Sequence, residues 1–238
     1  MTRVNEHGQP VGEPVDWTPL PRPAPVRLTG RYVAVEPVGE QHAADLLDAL
    51  CGPDDAALWT YRADDPPADL AAMRDRITAW AAPGDDLTFA LVPTTTGRAA
   101  GMASYHRIDP AHGSIEIAAV LLSRALQRTR EATEAVLLLA AHALDDLGYR
   151  RLEWKLDSHN APSAAAARRL GFRYEGRFRN AMVYRGRNRD TDWFAITDDD
   201  WRSLRPAYDA WLDPANFDAD GRQRTRLSDL TAFHGSGG

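Results

Sequence analysis

"SIEIAAVLLSRALQRTREATEAVLLLAAHALDDLGYRRLEWKL", residues 114–156, is the stretch whose reading decides the fold. Its opening run, 114–122, has the apolar character and flanking turns of a strand. Over 129–147, Ala132, Val136, Leu139, Ala143 and Leu147 fall on one helical stripe, and Leu137, Leu138 and Leu144 widen it. A helix apolar on most sides is usually buried against a sheet. Gly148 stands where a helix ends in a left-handed residue. "RRLEWKL" (150–156) is a second strand, so the whole is a β–α–β unit. Its helix starts in "QRTREATEA" (127–135), which has no glycine.

Upstream, "RYVAVEPV" reads as a strand in which Tyr32, Ala34 and Glu36 alternate with Val33 and Val35. A short helix follows at about 41–51, with Leu46, Leu47 and Leu50 on one side. A loop carries Trp59 and Tyr61, and a second helix is expected from Pro67 to Ala81. "LTFALV" (87–92), "AAGMASYHRI" (99–108) and "SIEIAAVLL" (114–122), with short turns between them, form an antiparallel meander. Downstream, "NAPSAAAARRLGF" gives a short helix closed by Gly171. "FRYEGRF" and "MVYRGRNRDTDWFAIT" give a last strand and hairpin turning at about 185–190.

The order β-α-α-β-β-β-α-β-α-β-β describes an α/β chain with a mixed, mostly antiparallel sheet and one embedded crossover. It is not a doubly wound fold, and the sequence has neither a G-x-G-x-x-G turn nor a Walker loop. Residues 1–28 are proline-rich and read as an extended arm, mobile or wrapped over the body. Residues 29–197 form the main domain. Residues 198–238 form a tail with a helix at 198–212, carrying Trp201, Leu204, Tyr208 and Trp211, and a disordered end, "HGSGG".

Composition narrows the function. The 238 residues are 44% hydrophobic and 26% charged, as in an ordinary globular protein. No apolar run reaches the ~18 residues of a membrane span. The N-terminus lacks the apolar core of a signal peptide, so a cytoplasmic location is expected. Lys155 is the single lysine among 28 basic residues. A net charge of −6 with no basic block argues against nucleic-acid binding and favours cationic partners such as amines. The one cysteine, Cys51, cannot form an internal disulfide or a thiolate metal cluster, and it reads as a packed apolar residue.

Two stretches carry chemistry. The first N–H groups of the 129–147 helix have no intrahelical acceptor, and with the macrodipole they favour an anion. Arg128 and Arg130 would reinforce this; Thr129 as the N-cap of a solvated helix start is the plainer alternative. In "DSHNAPSAAAARRLGF", Pro162 is placed to be the first helical residue. That reading makes Ala161 the cap and leaves the Asn160 amide free. Ser163 then lies in the first turn, facing the same cleft.

Together these pieces resemble the GNAT N-acyltransferase superfamily, in particular its RimJ/RimL-type acetyltransferase branch, over about residues 29–197. The nearest likeness is "LGYRRLEWKLDSHNAPSAAAARRLGFRYEG" (147–176), and "GRNRDTDWFAI" (186–196) is similar to the closing hairpin of that branch. The resemblance implies the GNAT fold and acetyl-CoA as co-substrate, with no metal. Ile117, Ala118, Ala119, Val120 and Leu121 would pair with pantetheine. The pyrophosphate would sit on Gln127, Arg128, Thr129, Arg130, Glu131 and Ala132, and Asn160 would contact the pantetheine arm. Two residues depart from the pattern. The central glycine of the pyrophosphate turn is Arg130 here, and the tyrosine that protonates the departing thiolate in many members is Ala167. Ser163 is the nearest hydroxyl that could take that role.

Direct transfer to a primary amine needs a base, an oxyanion donor, an acid and alignment of both substrates. Glu116 is the first candidate base and His106, on the neighbouring strand, the second. A backbone N–H at a bulged 117–120 is the candidate oxyanion donor. Asp157 reads as a cap of the following turn, and Trp154 as core. Trp59 and Tyr61 read as exposed aromatics that could wall an acceptor site or cover the core edge. The acceptor would be a small-molecule or peptide amine: a protein N-terminus, an aminoacyl group or a small metabolite. The alternatives are a non-catalytic acyl-CoA-binding module, and a transferase of a bulkier acyl group, such as succinyl, aided by the arginines near 128–130 and 168–169. The arm and the aromatic tail offer surfaces for a homodimer.

Overall fold

The structure is a computed structural model and describes residues 3–232. The expectation for the terminal "HGSGG" concerns residues outside these. The elements are β1 (Arg3–Val4), β2 (Pro10–Val11), β3 (Leu28–Thr29), β4 (Val33–Pro37), α1 (Ala43–Leu50), α2 (Leu70–Ala81), β5 (Leu87–Pro93), β6 (Gly101–Asp109), β7 (Ser114–Leu122), α3 (Arg130–Ala141), β8 (Arg151–Asp157), α4 (Ala161–Arg169), β9 (Arg173–Tyr184), β10 (Arg187–Thr197), α5 (Asp198–Leu212) and α6 (Leu227–Leu230). From β4 to β10 the order is the one read from the sequence. β1 and β2 form a small hairpin of their own.

One sheet of eight strands, in the order β3-β4-β5-β6-β7-β8-β10-β9, organises the chain. Every pair is antiparallel except β7 and β8, the two strands joined by the α3 crossover. Alternation sorts the side chains to two faces. Val33, Val35, Phe89, Leu91, Tyr105, Ile115, Ile117, Leu152 and Phe194 join α3, α4 and α5 in the larger core. Ala90, Met102 and Leu121 face the other way, toward Leu46, Leu50, Met73 and Ile77 of α1 and α2. The sheet is therefore covered on both sides.

Local signals explain where elements start and stop. α2 begins at Leu70 rather than Pro67, because Asp69 caps it by accepting the Ala72 N–H at 2.8 Å. α3 runs to Ala141 and then widens into one π-turn, His142–Asp146. Gly148 closes it at φ +76. A short 3₁₀ turn, Ala56–Trp59, occupies the loop between α1 and α2. Glu134, 6% exposed on α3, accepts the backbone N–H groups of Arg31, Tyr32 and Val33 at 2.8, 2.6 and 3.0 Å. These charge-assisted bonds fasten β4 to the crossover helix.

The arm is wrapped. Trp17 donates its indole N–H to Ala111 O at 2.7 Å, the Leu20 N–H bonds Pro110 O at 3.0 Å, and Tyr149 donates to Pro21 O at 3.3 Å. The tail also packs inward. Trp201, Leu204, Tyr208 and Trp211 of α5 are buried, and the Tyr208 hydroxyl donates to Leu170 O at 2.7 Å. Among the described residues no helix is long and apolar enough to cross a membrane.

Candidate active site

β7 and β8 pair only over Ser114–Glu116 and Arg151–Glu153. Beyond those residues the strands part, and their backbone groups line a cleft with no strand between them. On the other side of β7, two residues, Ala119 and Val120, face the single Ala103 of β6, because Met102 pairs with Leu121 but Ser104 with Ala118. Ala119 absorbs the extra residue at φ +51. A bulge of this kind re-aims backbone groups, here those of Ala118, Ala119 and Val120 beside the cleft.

The mouth of the cleft is set by two helix starts. Thr129 caps α3, its Oγ1 accepting the Ala132 N–H at 3.2 Å and donating to Leu126 O at 2.8 Å. That leaves the N–H groups of Arg130 and Glu131 without an intrahelical acceptor. Arg128 supplies the left-handed turn ahead of the cap, at φ +63, and Gln127 donates to Leu122 O at 3.1 Å. Arg130 turns away from the cleft. Its guanidinium lies over the Tyr32 ring at 4.3 Å and the Phe217 ring at 5.5 Å, with Nε 3.7 Å from Glu131. Arg168 lies over Phe194 at 5.2 Å, and Arg169 donates to Thr133 Oγ1 at 3.0 Å. All three of these arginines are thus engaged with the core side of the sheet.

At the second helix start the expected cap is corrected. Asn160, not Ala161, is the N-cap of α4, and Pro162 is the second helical residue. Asn160 Oδ1 accepts the Ser163 N–H at 3.2 Å, since asparagine caps far better than alanine. The amide NH2 of Asn160 remains the group able to donate to a ligand. Ser163 Oγ accepts the indole N–H of Trp154 at 3.0 Å. Trp154 is core, its ring tilted against that of Phe172 at 5.5 Å, yet it also fixes the serine oxygen so that the hydroxyl proton points elsewhere. The strand-period position of Trp154 held no hint of that bond.

On the α1–α2 face, Glu116 is 1% exposed. Lys155 Nζ is 3.4 Å and Arg107 Nε 3.8 Å from its Oε2, and neither makes a hydrogen bond to it. Burial pushes the Glu116 carboxyl up to about 7; Lys155 and Arg107 pull it down and Glu153 pushes it up. His106 pairs with Glu116 in register, so both share this face. Its Nε2 is 3.4 Å from Asp86. Burial, with Lys155 and Arg62 nearby, outweighs Asp86 and holds the imidazole below its ordinary value.

A cavity of about 820 Å³ opens on the same face, lined by Trp59, Tyr61, Asp157, His159, Tyr184 and Arg187 among others. Trp59 departs from expectation: it is 1% exposed, and its indole N–H donates to Leu50 O at 2.9 Å, so only an edge reaches the cavity. Tyr61 bridges the cavity by donating to His159 O at 2.8 Å. Asp157 accepts from the Tyr184 hydroxyl at 2.8 Å and from His159 Nδ1 at 3.0 Å. Burial alone would raise its pKa, but the bonds from the His159 N–H, Tyr184 and the His159 ring hold it below the usual range. Asp157 therefore stays ionised in the cavity, beyond its capping of the turn. Cys51 is half-buried outside this set, and burial with the Asp55 charge pushes its thiol up to about 11.

A parted parallel strand pair, a bulge and the open start of α3 thus surround one cleft, with a buried carboxylate on the sheet face beside it. Residues 33–173 match the family described as Acetyltransferase (GNAT) domain. A GCN5-related N-acetyltransferase from Brucella melitensis is 41% identical, covering 91% of this chain and 98% of that one, with a TM-score of 0.88. A probable GNAT-family acetyltransferase from Chromobacterium violaceum is 37% identical over 82% of this chain and 99% of that one, with a TM-score of 0.74. A putative ribosomal-protein-serine acetyltransferase from Vibrio cholerae shares the fold at 18% identity, covering 72% of this chain and 97% of that one, with a TM-score of 0.62. No curated protein matches the chain. The chain belongs to the GNAT acetyltransferase family, whose members use acetyl-CoA as co-substrate.

Proposed function

We propose that this protein transfers an acetyl group from acetyl-CoA directly to a primary amine, and that it sits in the RimJ/RimL-type branch. The observation that carries the reading is the cleft between β7 and β8, open from Glu116 and Glu153 onward and flanked by the bulge at Ala119. Ile117 to Leu121 would pair with the pantetheine amides, with the Asn160 NH2 as a further donor. The N–H groups of Arg130 and Glu131 would take the pyrophosphate, with Gln127, Arg128, Thr129 and Ala132 shaping the turn. Arg130 lies against Tyr32, so its side chain does not block that approach.

The acceptor amine would enter from the cavity beside Tyr61 and the edge of Trp59. Glu116 would take a proton from its ammonium, directly or through water, with His106 the second candidate. The freed amine forms the N–C bond, and a bulge N–H holds the developing oxyanion. As the C–S bond breaks, the Ser163 hydroxyl, its oxygen already fixed by Trp154, would give its proton to the thiolate and regain one from the attacking nitrogen, which becomes the neutral amide. Calorimetry with acetyl-CoA and a thiol-release assay over an amine panel test this. Failure to bind acetyl-CoA at millimolar concentration rejects the whole reading, and binding without thiol release across the panel rejects catalysis.

A further inference from the structure

Five buried side-chain polar atoms lack a hydrogen-bond partner among the described residues: Arg62 Nε, Glu116 Oε2, Arg189 Nε, Thr191 Oγ1 and Trp193 Nε1. Native interiors leave few such atoms, and each calls for an explanation. These are not scattered. Thr191 and Trp193 pair in register with Asp157 and Lys155, so they share the face of Glu116, which Lys155 reaches at 3.4 Å. Arg189 lies two residues before Thr191 on β10, its guanidinium over the ring of Tyr184, a cavity wall, at 5.9 Å. Arg62 follows Tyr61 and lies over Trp59 at 5.9 Å, beside two more wall residues.

Several charges here are paired, Glu116 with Lys155 and Arg107, Arg62 with Asp64 and Arg185 with Asp65, but two guanidiniums are not. Neither Arg187, in the cavity wall, nor Arg189 makes an ion pair among the described residues. Asp157, 4% exposed, meets Tyr184 and His159 but, among the described residues, neither a lysine nor an arginine. Carboxylates thus stand on β7 and β8, with open guanidinium N–H groups beside them on β10. Glu116 Oε2 and Arg189 Nε are buried without a hydrogen-bond partner, and leaving such atoms unanswered is unfavourable. A neutral amine would answer only the carboxylates, and a polyamine would bring positive charge to the guanidiniums. Given that this cavity is the acceptor site, we propose that the acceptor is an amine that also carries a carboxylate. Its ammonium is held toward Asp157 and Glu116 and its carboxylate toward Arg187 and Arg189, as guanidinium–carboxylate geometry favours. A free amino acid and a peptide with an acidic residue beside its N-terminus both present this chemistry.

Binding is measured by calorimetry on the full chain with CoA present, and thiol release is followed in parallel with acetyl-CoA. The ligands are free amino acids with their carboxamides, and short peptides differing in Glu or Gln at the second position. The acid member of a pair is expected to bind at least about tenfold more tightly. In Arg189→Met, which keeps an apolar stem, and in Arg187→Ala, that preference falls several-fold while acetyl-CoA affinity holds. Which pair shows the preference tells amino acid from peptide. Equal binding of acid and neutral members, a preference that survives both substitutions, or no binding of any acid member at about 10 mM overturns the inference. Arginine-dependent binding without thiol release supports it and rejects acetyl transfer instead.

Discussion

Replacing Glu116 by glutamine separates the burial of this carboxylate from its chemistry. The group is 1% exposed, and its pKa is raised from 4.5 to about 7, burial outweighing Lys155 and Arg107. An acid with a folded pKa above its unfolded one holds more protons when folded, so stability falls as pH rises between the two values. At about 1.4 kcal/mol per pH unit, the charged form costs on the order of 3 kcal/mol above neutral pH. Glutamine cannot ionise. E116Q is therefore expected to be more stable than the parent at about pH 8, by up to roughly 3 kcal/mol, or about 6–12 °C in Tm for a chain of this size. The gap closes toward about pH 5, where the parent carboxyl is protonated as well.

Activity moves the opposite way. A positioned base contributes about 10²–10⁴-fold, so kcat/KM should drop by that range in E116Q. The ratio of parent to variant kcat/KM cancels the titration of the acceptor amine. That ratio should rise with pH, bend near 7 and level off, because the base works only when deprotonated. Thermal melts and rates between about pH 5 and pH 9 check both halves. A variant with no extra stability at high pH refutes the burial argument. A flat rate ratio refutes the assignment of the base.

Ser163→Ala should slow turnover about 10–100-fold with acetyl-CoA affinity unchanged, and it leaves the Trp154 N–H without its acceptor at a cost of about 1–2 kcal/mol; unchanged turnover by thiol release removes Ser163 from the acid role. Asn160→Asp keeps an oxygen to cap the Ser163 N–H but loses the NH2 donor, so Tm should hold while acetyl-CoA affinity falls about tenfold by calorimetry. Equal affinity there would take Asn160 off the pantetheine. Arg130→Ala should lower stability by about 1 kcal/mol through the lost Tyr32 and Phe217 contacts and leave acetyl-CoA affinity alone; a large loss of affinity would place that guanidinium on the phosphates.

The sheet was legible because its strands are short apolar runs bounded by turn residues and its crossover helix keeps one apolar stripe; β7 and α5 fall where the residue pattern puts them. What escaped was set by contacts distant in sequence. Glu134 holding β4, Trp154 holding Ser163, and the arm crossing the β6–β7 turn leave no local mark. Trp59 looked exposed because its neighbours are polar, but the 3₁₀ turn at 56–59 rolls the indole under α1. The α4 cap was misplaced by one residue because a proline near a helix start fits the second helical position as well as the first. The ionised Asp157 and the open β10 row were out of reach, since both depend on which strands become neighbours.

The arginine at the proposed pyrophosphate turn shows how a missing glycine can be accommodated. Glycine is required where φ is positive or where a backbone must be approached closely. The positive φ in this turn belongs to Arg128, two residues earlier, while Arg130 is the first residue of α3 with ordinary helical geometry. Only close approach is left to need a small residue, and because a helical side chain leans back toward the helix N-terminus, an arginine here has to be turned aside to leave that end open. Tyr32 and Phe217 then receive the guanidinium on the far side of the helix. Tyr32 sits there because Glu134 holds its N–H, and Phe217 because its ring packs edge-on against Trp211 of α5. The C-terminal segment thereby fixes the side chain that would otherwise crowd the proposed phosphate site, so replacing Phe217 by alanine should weaken acetyl-CoA binding by calorimetry in this chain and leave it unchanged in an Arg130→Gly background.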